Sequence, residues 1–309
     1  MAPKSGPFCL DDDAAYRRWR EHKLCHYPDR LDAQRVSIAH PGRLKGPERE
    51  QILRACRAAN FAVYQTDPGC PPTLAELRAY GEQLGLIHFD RHLWAPKDGI
   101  VALRRETEGA RARYIPYTDR PMKWHTDGYY NGVEDAVRGV LMHCVQPAAE
   151  GGANWLLDPE MVYIAMRDED PVYIDAFMQP DVMTIPENTL EPGAYRADVT
   201  GPVFSVDATG GTLHMRYTAR TRSLRWRNDS ATRDAVAFLE DLLAPPVSFA
   251  FRVSLNAGEG IVCNNVLHNR EAFTDGSEPN QQRLLWRARY RERIANTIPC
   301  WGDGRQESL

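Results

Sequence analysis

No apolar run in this chain approaches the roughly 20 residues that a membrane-crossing helix needs. The first twenty residues carry three aspartates and no apolar stretch, so a signal peptide is not expected either. The seven cysteines, at positions 9, 25, 56, 70, 144, 263 and 300, form no Cys-x-x-Cys pair or other zinc spacing. An odd, scattered set is the pattern of reduced thiols, which argues against a disulfide framework and for a cytoplasmic protein. Net charge is −4, which offers nucleic acid no basic face. Repeats, low-complexity segments and breaks in composition are missing as well. The 43% hydrophobic and 26% charged residues describe an ordinary globule. At 309 residues it is long enough to bury a substantial core. Residues 1–45, polar and punctuated by proline, read as an N-terminal extension packed on a single domain of residues 46–309. Self-association into a homo-oligomer stays open.

Periodicity places helices over Glu48–Ala59, Thr73–Gly85 and Ala231–Leu243, with one or two more between Pro159 and Met178. Strands are expected at Phe61–Gln65, Gly99–Arg105, Val137–Val145, Asp181–Ile185, Val203–Val206, Thr212–Tyr217, Val247–Leu255, Gly260–Asn264 and Arg283–Tyr290. Many short strands separated by Gly/Pro turns point to a mostly β protein with flanking helices, a sandwich or jelly roll.

Against that background, His125-Thr126-Asp127 is informative. On an extended strand, positions i and i+2 share a face. One imidazole and one carboxylate can therefore address the same point. His268, on a distant strand, completes a set of two histidines and one carboxylate, the facial triad that holds Fe(II) and leaves positions open. The His-x-Asp pattern alone is weak, because His88-Phe89-Asp90 repeats it. His88 and His92 have i, i+4 spacing, but no glutamate follows His88 as a zinc-protease motif requires. A surface or lid-loop role suits them better. His143 and His214 sit in apolar strands and read as hydrogen-bonded core histidines. His22, His26 and His40 carry no metal spacing. The Arg-rich run Arg216 to Arg227 reads as a solvated loop, with an anion-binding or lid role as the rival.

Parity in the last strand adds weight. Arg283, Leu285, Arg287 and Arg289 share one face, while Leu284, Trp286, Ala288 and Tyr290 share the other. Arginines on an interior face are costly unless anions meet them.

Five segments together resemble the taurine dioxygenase-like (TauD/TfdA) family of Fe(II)/2-oxoglutarate-dependent oxygenases: Ala59–Tyr64, Trp124–Gly128, Gln146–Asn154, Val266–Phe273 and Arg283–Arg287. The resemblance implies a double-stranded β-helix core. It also implies Fe(II) on His125, Asp127 and His268, with Arg283 on the distal carboxylate of 2-oxoglutarate. Arg287 resembles an arginine that relatives point at an anionic substrate group. Where many relatives have Gly-Gly-x-Thr, this chain has Gly151-Gly152-Ala153-Asn154, and the Asn154 amide can still donate to the cosubstrate. Asn269 stands where relatives often have glycine. Tyr129, Tyr130 and Arg270 lie close enough to the ligands in sequence to line a substrate pocket, although Arg270 could equally support Glu271.

The function expected is oxidation of a C–H bond, by hydroxylation first of all, in a small anionic substrate. Dioxygen and 2-oxoglutarate would be consumed and succinate and carbon dioxide released. Three other readings are a β-roll that binds a metal or small anion without turnover, a zinc hydrolase built on His88 and His92, and a structural protein with incidental histidines.

Overall fold

Phe61 and Val63 point one way from their strand, and Ala62 and Tyr64 point the other. That alternation builds the molecule in layers. The computed structural model of the chain describes residues 5–90, 96, 99–188, 195–207, 211–220 and 224–298. A six-stranded sheet runs in the order Arg35–Ser37, Phe61–Gln65, Glu259–Cys263, Gly139–Gln146, Leu284–Tyr290, Ile100–Leu103. Only its first pair is parallel. A four-stranded antiparallel sheet runs Phe251–Val253, Asn154–Leu157, Leu267–Arg270, Met122–His125. Phe61, Val63, Val140 and Ile261 of the first sheet meet Leu156, Phe251 and Val253 of the second in one dry cluster. This is the jelly roll expected from the strand pattern, in the double-stranded β-helix form that the family resemblance implies, with two sheets closing over a shared interior.

The outer face of the larger sheet is covered by the helices Gly46–Ala59 and Leu74–Gln83. Ile52, Leu53, Cys56, Leu77 and Tyr80 pack there on Tyr64, Leu141, Val262, Ala288 and Tyr290. A capping box at Thr73 and Glu76 starts the second helix where the sequence placed it. Pro159–Glu169, Pro171–Met178 and Ser230–Leu242 form a separate helical layer with the strands Met183–Ile185, Phe204–Val206 and Leu213–Met215. The expected strand Val247–Leu255 is shorter, only Phe251–Val253, because Phe249 takes a left-handed φ of 62° that breaks the extended run.

The N-terminal region carries more structure than its polar composition suggests. Asp13–His26 is a 14-residue helix whose Tyr16 and Trp19 are buried against Tyr163. Lys23, on the same face, reaches Asp158 Oδ2 and Glu160 Oε2, each at 2.6 Å. Both carboxylates are buried at the start of Pro159–Glu169, so the lysine is the counter-charge that lets them stay there.

Candidate metal centre

The strand Met122–His125 pairs with Leu267–Arg270 so that His125 stands directly opposite His268. Their ring centroids are 4.3 Å apart. Each ring is oriented in the same way, by contact of Nδ1 with a carbonyl two residues back. Lys123 O lies 2.8 Å from His125 Nδ1, and Val266 O lies 2.8 Å from His268 Nδ1. With Nδ1–H donating, each Nε2 lone pair is left for a third group, the arrangement that metal-binding histidines require. Burial first, and then neighbouring His268, pulls the His125 pKa down to about 3, which keeps this imidazole neutral.

Asp127 lies just past the strand end, and its position is fixed by Asn265. Asn265 Oδ1 accepts from the Asp127 amide at 2.8 Å, and Asn265 Nδ2 donates to the Asp127 carbonyl at 2.9 Å and the Val137 carbonyl at 2.6 Å. The turn then needs Gly128: its φ is 69°, and a Cβ there would stand 2.5 Å from Val137 Cγ2. The result brings one ligand atom from each of His125, Asp127 and His268 within 4.8 Å of one another. No other such group of three occurs among the described residues.

The two oxygens of Asp127 differ. Oδ1 meets Arg287 Nη1 at 3.1 Å and Arg289 Nη1 at 3.6 Å. Oδ2 is buried with no hydrogen-bond partner. Burial alone would raise this pKa, but Arg287 and Arg289 outweigh it and hold the carboxyl below the usual range. An ionised, buried oxygen without a donor, beside two imidazoles, is a strong acceptor with nothing yet to accept. A divalent cation fits that donor set.

Arg283 and Arg270 gather elsewhere in the interior. Each guanidinium carbon lies 5.0 Å from the centre of the Phe273 ring. Arg283 is buried beside Gly152, and its side chain meets no carboxylate among the described residues. Burial pulls its pKa down to about 10. Arg270 donates from Nη2 to the carbonyls of Thr118, at 2.7 Å, and Arg120. Its Nε is buried without a partner, and burial, then Arg283, pulls its pKa down to about 9. Asn154 is paired with Arg270 across the strands, so both look to the face that carries His268. Glu271 is held by Arg252 and Trp155, not by Arg270.

Tyr129 borders His125, and Tyr130 packs against Tyr129. The Tyr129 ring meets His125 edge-on at 6.3 Å, and its hydroxyl accepts from Arg220 at 3.1 Å. Tyr130 Oη accepts from Arg289 at 2.8 Å, and Arg196 lies 5.8 Å from the Tyr130 ring. Of the Arg-rich run, Arg216 is buried and donates to the carbonyls of Met183, Gly201, Pro202 and Tyr129. Arg225 and Arg227 pair with surface aspartates, and Arg222 lies outside the described residues. His143 stacks between Tyr64 and Trp286 and is a core residue. His88 is exposed and contacts Glu292, while His92 lies outside the described residues.

Two residues of this centre escaped the sequence reading as site residues. Arg289 shares the parity of Arg287, a signal that was available. Asp90 belongs to the second His-x-Asp pair and reaches Arg289 Nη2 at 2.5 Å, which only the fold reveals.

A family model described as "Taurine catabolism dioxygenase TauD, TfdA family" matches residues 23–289. A uridine-5'-phosphate dioxygenase from Streptomyces sp is 28% identical over 250 residues, covering 77% of this chain and 88% of that protein. The crystal structure of asparagine oxygenase (AsnO) matches with a TM-score of 0.58 at 14% identity, over 84% of this chain and 93% of that one. That of the non-heme iron oxygenase OrfP with Fe, succinate and (3S)-hydroxy-L-Arg matches with a TM-score of 0.57 at 13% identity, over 81% and 82%. No helix among the described residues is long and apolar enough to cross a membrane. With most of its length matched, the chain belongs to the TauD/TfdA family and is an Fe(II)/2-oxoglutarate-dependent dioxygenase.

Proposed function

We propose that His125, Asp127 and His268 hold the Fe(II), and that the enzyme hydroxylates a small anionic substrate at a C–H bond. One observation carries this: three ligand atoms converge within 4.8 Å, and Asp127 keeps one oxygen, Oδ2, buried with no partner. When bound, iron with dioxygen as the oxidant would supply the oxidising power, 2-oxoglutarate being oxidised to succinate and carbon dioxide as the substrate is hydroxylated. The chain's own residues orient the participants. His125 and His268 present fixed tautomers. Arg283, beside Gly152 and without a carboxylate partner for its side chain among the described residues, offers its guanidinium to the distal carboxylate of the cosubstrate, with Asn154 as a further donor. Arg270 stands with Arg283 at Phe273, which favours the cosubstrate end over the substrate end for it.

The substrate side of the proposal rests on Tyr129 and Tyr130, with Arg196 and Arg220 at the tyrosines, while Arg287, expected to face an anionic substrate group, is paired with Asp127. Cationic groups around an aromatic floor suit an anion. A nucleoside 5'-phosphate is the class to try first, because the Streptomyces relative is named for one. A single domain over residues 46–309, with residues 1–45 packed on it, belongs to the same proposal. So does a reducing, cytoplasmic setting, in keeping with the free thiols of Cys9, Cys25, Cys56, Cys70, Cys144 and Cys263.

The test is succinate formation from 2-oxoglutarate, with Fe(II), across a panel of phosphorylated and carboxylated compounds. A member of the panel should stimulate it, and His125→Ala should abolish it while leaving the fold intact by circular dichroism. Under anaerobic conditions the wild type with Fe(II) and 2-oxoglutarate should develop a weak visible charge-transfer band. Unchanged succinate release in His125→Ala would remove the triad, and stimulation only by uncharged compounds would remove the anionic substrate.

A further inference from the structure

We propose that Asp90 and Arg289 are positioning residues for the metal-facing carboxylate: Asp90 holds Arg289 back from Asp127, so that Asp127 keeps its charge for a divalent cation. The proposal rests on the reading that Asp127 is a metal ligand.

Arg289 is stretched between two acids. Its Nη2 lies 2.5 Å from Asp90 Oδ2, while its Nη1 lies 3.6 Å from Asp127 Oδ1 and donates to Tyr130 Oη at 2.8 Å. All three charged side chains are at most 5% exposed. The tighter pairing is with Asp90, not with the carboxylate of the metal centre.

Asp90 is held in place independently of that ion pair. Its amide donates to the Arg289 carbonyl at 2.8 Å, its Oδ1 accepts from Asn131 Nδ2 at 3.0 Å, and Phe89 bridges to Tyr290. The backbone thus delivers one carboxylate to one guanidinium, as if by an extra residue of sheet.

The chemistry gives this a purpose. A guanidinium stays charged at any physiological pH, so it cannot be silenced by losing a proton. Asp127 already has Arg287 on Oδ1. If Arg289 also closed on it, two fixed cations would compete with the metal for a single negative charge. Asp90 supplies Arg289 with its own counter-ion, and so leaves the Asp127 charge available.

The experiment is Mn(II) titration of the full-length protein, followed by electron paramagnetic resonance, without 2-oxoglutarate or turnover. Asp90→Asn is nearly isosteric and should weaken Mn(II) binding about tenfold, within the range usual for coupled sites. The double variant Asp90→Asn/Arg289→Met removes both charges and should recover wild-type affinity to within about twofold, the non-additive rescue expected of two residues in contact. Rescue by a second substitution is a result that mere structural damage would not give. An unmoved Asp90→Asn, or a double variant that binds no better than the single one, overturns the proposal. Should Asp90→Asn not fold, a double variant binding tenfold more weakly than wild type overturns it alone. A wild type that binds no Mn(II) would sink the metal assignment itself, which is a different failure.

Discussion

Two pairs of arginines face the interior of this protein, and they are treated in opposite ways. Arg287 and Arg289 are met by Asp127 and Asp90, two cations against two carboxylates. Arg270 and Arg283, around Phe273, meet no carboxylate among the described residues, only backbone carbonyls in the case of Arg270. A buried charge without a counter-charge is expensive, and proteins keep one where a ligand supplies the missing partner. On the proposed assignment the first pair belongs to the scaffold of the metal centre, and the second is the pair that the dicarboxylate cosubstrate would meet.

The strongest way to break that contrast is to remove one arginine from the unbalanced pair. Arg283→Met should raise the 2-oxoglutarate KM about 100-fold, as loss of two charge-assisted hydrogen bonds would. The ligand-free protein should meanwhile keep its stability or gain about 1 kcal/mol, since a desolvated cation is gone. Arg287→Met should do the reverse, moving the KM by less than about threefold while lowering stability by ~3 kcal/mol, because Asp127 is left buried with one partner fewer. Steady-state kinetics beside thermal unfolding reads both. Equal KM effects, or Arg287 having the larger one, would show that the two roles are misassigned.

A smaller effect follows from the histidines. His125 and His143 are both held neutral, with pKa values pulled down by burial to about 3 and about 4. In the unfolded chain each titrates near 6.5. Above that pH neither state binds the proton and nothing is lost. Below it the unfolded chain takes up protons that the native state refuses, so stability falls with falling pH until the native values are reached. Between pH 6.5 and pH 5 the loss is about 1.6 kcal/mol for each of the two. Urea unfolding of the metal-free protein at the two pH values measures it. A native state that is no less stable at pH 5 would mean these imidazoles are open to water.

How much of this was legible from the residues alone depends on the range over which each signal acts. The alternation of Arg283 to Tyr290 is a local, two-residue period, and the structure keeps it: Leu285, Arg287 and Arg289 turn inward while Ala288 and Tyr290 pack under the helices. The helix Asp13–His26 was missed because its buried face is narrow and includes a lysine, so its composition reads as polar. Only the distant Asp158 and Glu160 explain why that lysine is buried. Asp90 drew no reading of its own for the same reason, since its meaning depends on an arginine 199 positions further on. Local pattern announces which face is inside. It does not announce which charges will meet there.

The least disruptive change tests the other comparison, between the two His-x-Asp pairs. His125 is buried at a strand end opposite His268, whereas His88 is 74% exposed and contacts Glu292. The tripeptide pattern is shared, but only one copy lies on a strand whose neighbour brings a second imidazole. His88→Gln should therefore leave Mn(II) affinity and succinate formation within about twofold of wild type, as for an ordinary surface substitution. Its aspartate should behave otherwise, because Asp90 points inward to Arg289 while its histidine points to solvent. A metal affinity that collapsed in His88→Gln would move the metal centre to the other copy of the motif, and the pairing of His125 with His268 would lose its purpose.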